Sequence, residues 1–192
     1  MSLFARLKSG TQEQHRELER LIDPLQSFRS LGTYKAYLLK SWGFYRGLEE
    51  ELAEVHWSTT GLDYPPRQKT ALLEEDLQVL KVPLSARTPA QRCLPGSNLD
   101  FALGCLYVLE GATLGGQIIS RHLGNLNIGP TTGGRFFTGY GPKTGEMWKS
   151  FQTTATTYCV SENQINEAVA GANLTFERFR ESITALPDSI PA

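Results

Sequence analysis

Three side chains near the start of the 192-residue chain have types and spacing suited to metal chemistry. His15 is followed four positions later by Glu19, and Lys8 precedes it by seven. On a helix, residues four apart can meet, and residues seven apart lie two turns away on the same side. A ligating imidazole usually gives its second ring N–H to a carboxylate, carbonyl or water, which fixes the tautomer and raises its basicity. His15 with Glu19 has that form, and Lys8 is placed to reach an acidic group on a ligand. Taken singly, each has a plainer explanation. A histidine on an apolar stripe is more often a satisfied core residue, and Glu19 and Lys8 read as a solvated flank.

The second feature is the run Tyr107-Val-Leu-Glu-Gly-Ala-Thr-Leu-Gly-Gly-Gln117, which sets Gly111, Gly115 and Gly116 inside a helical pattern. Each interior glycine costs about 1 kcal/mol against alanine, so three disfavour the helix by about 3 kcal/mol. Something must compensate. Gly104, Gly111 and Gly115 share a face, which strips side chains from a strip of backbone. Such a strip serves either a close helix–helix crossing or a broad flat ligand lying against a backbone kinked at the glycines.

The elements that must hold these residues are helices. Phe4, Leu7, Thr11, His15, Leu18 and Ile22 recur at three- and four-residue steps, which predicts one helix ended by Pro24. Tyr34, Tyr37, Trp42, Tyr45, Leu48, Leu52 and Val55 mark a second, and a third spans about Arg67 to Val82. Pro83, Pro89 and Pro95 then mark a connection, and a long helix runs from about Asn98 to Leu123. Seven glycines and two prolines between Gly124 and Gly145 predict an irregular loop. Two helices close the chain, about Gly145 to Cys159 and Ser161 to Leu186. Ser161 with Gln164 forms a capping box at the start of the last one. Strand-like alternation is scarce, so the expectation is all-α, one domain over residues 1–192, with about six helices.

Composition narrows the function classes. A net charge of -1 without a long basic run argues against a nucleic-acid or anionic-membrane partner. The N-terminus lacks a signal h-region, and the longest near-candidate for a membrane span, Phe101 to Leu109, runs directly into Glu110. A cytoplasmic location is the resulting expectation. Cys93, Cys105 and Cys159 form no CxxC pair, so no zinc or dithiol site is expected. Lys143-Thr144 follows Pro142 and misses the P-loop spacing, and no Glu-x-x-His or Gly-x-Ser-x-Gly occurs. His56 and His122 fall near helix ends and read as surface or cap residues.

Leu7-Lys-Ser-Gly-Thr-Gln-Glu-Gln-His15-Arg-Glu-Leu-Glu19 resembles the first helix of haem oxygenases, including the Lys-x6-His-x3-Glu spacing. Leu106-Tyr-Val-Leu-Glu-Gly111-Ala-Thr-Leu-Gly115-Gly-Gln117 resembles their distal helix and looks closest to the bacterial branch, some members of which supply biliverdin to bacteriophytochromes. Weaker likeness runs through Trp148 to Phe151 and Asn173 to Phe179. The resemblance implies haem held between the first helix and a glycine-kinked distal helix. It implies His15 as iron ligand, Glu19 as its partner, and Lys8 on a propionate. Gly111, Gly115 and Gly116 would form the distal surface, and Phe176, with Phe179, the pocket walls. Mammalian members carry Asp directly after the first distal glycine; here the residue is Ala112.

The activity that this resemblance implies is oxidative cleavage of haem to biliverdin with release of CO and ferrous iron. Haem would be both substrate and cofactor, with O2 as oxidant. The chain shows no flavin or nicotinamide fingerprint, so electrons would come from a ferredoxin or flavin reductase. Two other readings stand beside this one: a haem-binding protein of the same fold that stores, senses or delivers haem, and a helical protein for another small molecule, such as a thiamin-salvage enzyme.

Overall fold

The computed structural model describes residues 1–22, 28–83 and 98–185, and every regular element among them is helical. The helices are α1 (Leu3–Gly10), α2 (Gln12–Leu21), α3 (Leu31–Ala53), α4 (Thr70–Val79), α5 (Leu99–Leu123), α6 (Arg135–Thr138), α7 (Thr144–Tyr158) and α8 (Glu162–Thr184). Single 3-10 turns lie at Trp57–Thr59, Pro65–Arg67, Gly124–Leu126 and Gly141–Lys143. The expectations for Cys93, Pro24, Pro89 and Pro95 fall outside the described residues.

The helix expected from Phe4 to Ile22 is two helices, joined at Thr11. Thr11 has φ -119° and ψ 8°, and its buried hydroxyl donates to the Leu7 carbonyl at 2.8 Å. Such back-bonding bends a helix. Gly10 beside it lies against α8, where a Cβ would come within 2.8 Å of Val169 Cγ1. Lys8, in the last turn of α1, and His15, on α2, therefore sit on different helices. At the far end, Ser161 and Gln164 make the expected capping box, each side chain bonded to the other's backbone.

α5 and α8 form the central pair. A Cβ on Gly104 would strike the Ala168 carbonyl and lie 2.9 Å from the Ala172 nitrogen; one on Gly171 would strike the Phe101 carbonyl. Bare α-carbons on both helices thus let the backbones touch. α3 packs against α4 and α8 and is buried around most of its circumference. By length and composition, Leu99–Leu126 is the one helical stretch among the described residues apolar enough to cross a membrane, at mean hydropathy 1.3. The count of uninterrupted apolar residues did not register it. Half of its most apolar window is buried inside the fold, and Glu110 within it is 2% exposed.

The third helix begins later than expected, at Thr70, because Pro65–Arg67 form a 3-10 turn first. The Glu49 carboxylate of α3 caps it, accepting the Lys69 and Thr70 N–H groups at 2.6 and 3.0 Å. The glycine-rich stretch expected to be irregular holds α6 and two 3-10 turns. Three tertiary hydrogen bonds order it. Tyr34 donates its hydroxyl to the Gly133 carbonyl at 2.6 Å, and Asp76 accepts the Arg135 and Phe136 N–H groups, both at 2.8 Å.

Burial pushes the Asp76 carboxyl up to about 6, against the opposing pull of those two amide bonds. The folded state therefore holds this proton more tightly than the unfolded state, where an ordinary Asp titrates near about 4. The resulting stabilisation is complete below pH about 4 and is lost as pH rises through about 6. Asp76→Asn keeps one acceptor and turns an NH2 towards the second donor, which costs about 1–3 kcal/mol. Urea melts of both proteins should show the stability gap narrowing between pH 4 and pH 7. A gap that widens would mean that the amide bonds outweigh burial.

Candidate functional site

His15 stands on α2, a helix that buries none of its own residues. The sequence placed this histidine on an apolar face turned into the protein; instead its side chain is 58% exposed. The reason lies in the composition of QEQHRELERL, where only Thr11 before it and Leu18 within it offer apolar or small contact towards the core. Nδ1 lies 3.4 Å from Glu19 Oε2, the contact expected from the four-residue spacing. One edge of the imidazole meets Phe176 of α8, ring centres 5.8 Å apart and planes at 75°. Nε2 has no polar partner among the described residues. The site thus offers an accessible ring nitrogen, a carboxylate behind the ring and an aromatic wall beside it.

The glycines of α5 divide by neighbour. Gly104 serves the crossing with α8. At Gly111 and Gly115 an added Cβ would meet nothing within 4 Å, so their bareness fills no packing need. Gly116 is buried, and its α-carbon turns towards Phe137, 3.4 Å from a Cβ placed there. The helix continues through all three without interruption from Leu99 to Leu123, so no break accompanies the expected kink. The close-crossing use is therefore present at Gly104, while Gly111 and Gly115 leave a strip of backbone that packing does not explain. Ala112 is exposed and Thr113 bonds back to the Leu109 carbonyl at 3.0 Å.

Phe176 and Phe179 separate in the same way. Phe179 packs on Phe44, ring centres 4.8 Å apart, and on Tyr45, which makes it a core aromatic. Phe176 alone of the two reaches His15. Lys8 is exposed. His122 is exposed at the end of α5, with Nδ1 3.0 Å from the Ile118 carbonyl, and His56 is an exposed cap, as expected. Cys105 and Cys159 are buried, and the Cys105 thiol donates to the Gly171 carbonyl at 3.6 Å.

A groove of about 440 Å³ lies between α2 and α8, lined by Gln14, Glu17, Asn173, Phe176, Glu177 and Arg180. It shares Phe176 with the imidazole, but neither His15 nor the bare glycines line it. Among the described residues no three His, Cys, Asp or Glu side chains gather as a metal cage. A lone accessible imidazole suits a metal that arrives with its other ligands already in place.

One charged cluster went unread in the sequence. Glu110, directly before Gly111, is paired with Arg67 at 3.1 Å, and the side chains are 2% and 3% exposed. It also accepts the Tyr140 hydroxyl at 2.6 Å. Lys69 donates to the Arg67 carbonyl at 2.6 Å and lies 3.7 Å from the centre of the Tyr140 ring. Burial brings Lys69 down to about 8, with Glu110 and Glu49 opposing the shift. Burial first, then the Glu110 charge, raises the Tyr140 hydroxyl, which keeps it a donor. The available signal was a lone acid in the middle of the apolar run from Phe101 to Leu114.

The family described as Heme oxygenase matches residues 1–185. A protein named Heme oxygenase from Xanthomonas campestris pv. campestris (strain 8004) is 29% identical over 153 residues, 80% of this chain and 90% of its own length. Heme oxygenase PigA of Pseudomonas aeruginosa is 28% identical over 179 residues, covering 91% of this chain and 87% of that protein. The NO- and CO-bound haem oxygenase from Neisseria meningitidis superposes with a TM-score of 0.83 at 20% identity, over 96% of this chain and 92% of that one. That likeness places the all-helical architecture in the same fold, and the family match extends through both motifs and all eight helices among the described residues. The chain belongs to the haem oxygenase family, enzymes that degrade haem.

Proposed function

We propose that residues 1–192 act as one haem oxygenase domain that holds haem through His15 and opens its ring to biliverdin. The single observation that carries the site assignment is the exposed imidazole, backed by Glu19 and edged by Phe176. The residues present fit such a ligand. Glu19 at Nδ1 favours the tautomer that leaves the Nε2 lone pair outward, which is the state an iron ligand needs. Phe176 offers an apolar edge to a flat macrocycle. Lys8, exposed at the end of α1, is the cation for a propionate.

Haem held there would supply the iron through which O2 oxidises the ring. Carbon monoxide and ferrous iron leave with the biliverdin. Gly111 and Gly115 would give the substrate a surface of bare backbone, and Gly116 would add backbone only. A cramped face without a strong acid favours attack on the ring over O–O cleavage. Electrons would come from a ferredoxin or a flavin reductase. The likeness of the Leu106–Gln117 run to the bacterial branch makes a bacteriophytochrome one candidate recipient of the biliverdin, and the expected location is the cytoplasm.

Ala112, where mammalian members carry Asp, supports a second reading in which the chain binds haem without opening it. Titrating the purified chain with haemin and adding a reductant in air separates the two. A Soret band that forms and then gives way to biliverdin absorption is expected. A stable Soret band under reductant selects the second reading, and absence of a Soret band rejects both.

A further inference from the structure

Gly111 and Gly115 have no side chains with which to hold their own position, and nothing lies within 4 Å of where a Cβ would be. The setting of this stretch of α5 about its own axis must come from its neighbours. On one flank, Gly116 rests on Phe137. On the other stands Glu110, with its carboxylate divided between two partners from separate parts of the chain. Arg67 comes from the 3-10 turn before α4, and its Nη1 also donates to the Met147 carbonyl of α7 at 3.2 Å. Tyr140 comes from the link between α6 and α7, between Gly139 and Gly141, both at positive φ (53° and 58°). A Cβ at Gly139 would come within 2.7 Å of Thr113 Cγ2, so the loop carrying Tyr140 lies directly on α5.

An ion pair this deeply buried is a poor stabilising device, since desolvation offsets most of the attraction and an apolar pair often serves as well. Its geometry is more demanding than its energy. A carboxylate bridging a guanidinium and a hydroxyl accepts only a narrow range of positions. We propose that Glu110 is a positioning residue. Through Arg67 and Tyr140 it fixes the rotation of α5, and so the placement of the bare Gly111–Gly115 backbone against the haem. This rests on the haem oxygenase reading of the glycine strip.

Two variants test it. Tyr140→Phe removes one hydroxyl from a half-buried ring, and Glu110→Gln keeps the volume while removing the charge. In the haem-free protein, the amide resonances of Gly111 and Gly115 should shift and their hydrogen exchange quicken about tenfold, while Gly104, clamped by α8, stays unchanged. In the haem-loaded protein, kcat should fall about 10- to 100-fold with haem affinity within about threefold of the parent, because misplacement on this scale affects reaction more than binding. If Glu110→Gln does not fold, Tyr140→Phe decides alone. Unchanged Gly111 and Gly115 amides in a folded variant overturn the proposal. So does an amide change that leaves kcat at the parent value. If the parent chain itself takes up no haem, the haem reading fails, and the amide measurement still judges the tether.

Discussion

His15→Ala is expected to fold with parental helicity and to lose haem turnover altogether. The two effects separate because the imidazole is 58% exposed on a helix that buries none of its residues. Surface substitutions of this kind stay within about 0.5 kcal/mol, and alanine is the better helix former. Against that small structural change stands the loss of the ring nitrogen proposed to hold iron. Far-UV circular dichroism and a melting curve check the fold, and biliverdin yield checks the chemistry. Added imidazole should restore part of the yield by supplying the missing ligand atom from solution. A helical His15→Ala protein that still makes biliverdin would sink the assignment of the ligand.

Gly115→Leu should be folded and inactive. A Cβ at 115 would meet nothing within 4 Å, and replacing an exposed helical glycine gains about 1 kcal/mol of helix propensity. The melting temperature should therefore hold or rise. Haem turnover should nevertheless fall by orders of magnitude, since the leucine would project into the space that the bare strip leaves for haem and O2. Gly104→Ala is the matching control. Its methyl group would strike the Ala168 carbonyl of α8, an overpacking that costs about 1–3 kcal/mol and lowers the melting temperature. Melting temperature, haem affinity and biliverdin yield measured on both variants separate the two uses of glycine on one helix. A folded, haem-bound Gly115→Leu protein with parental turnover would place the oxygen-binding face elsewhere on the molecule.

Much of this site could be read along the chain. The His15–Glu19 contact follows from two residues one helical turn apart, and the capping box at Ser161 and Gln164 spans three positions. Helix periods, caps and i,i+4 pairs are set by hydrogen bonds within a turn or two, so local residue order specifies them. For the same reason the glycines of α5 could be singled out as unusual.

What those glycines are for depended on which helix lies opposite each one. Gly104 meets α8 because Ala168, Gly171 and Ala172 let that helix approach; Gly111 and Gly115, further along the same face, meet nothing. Spacing alone gives all three the same direction and no neighbour. The bend at Thr11, which moves Lys8 and His15 onto separate helices, goes with the seating of Gly10 on Val169. Glu110 looked like an acid interrupting an apolar run until Arg67 and Tyr140 were seen to close on it. Burial of a charge is tolerated only when distant segments bring compensating groups to it. No periodicity within a single helix carries that information, because the partners are chosen by packing between helices.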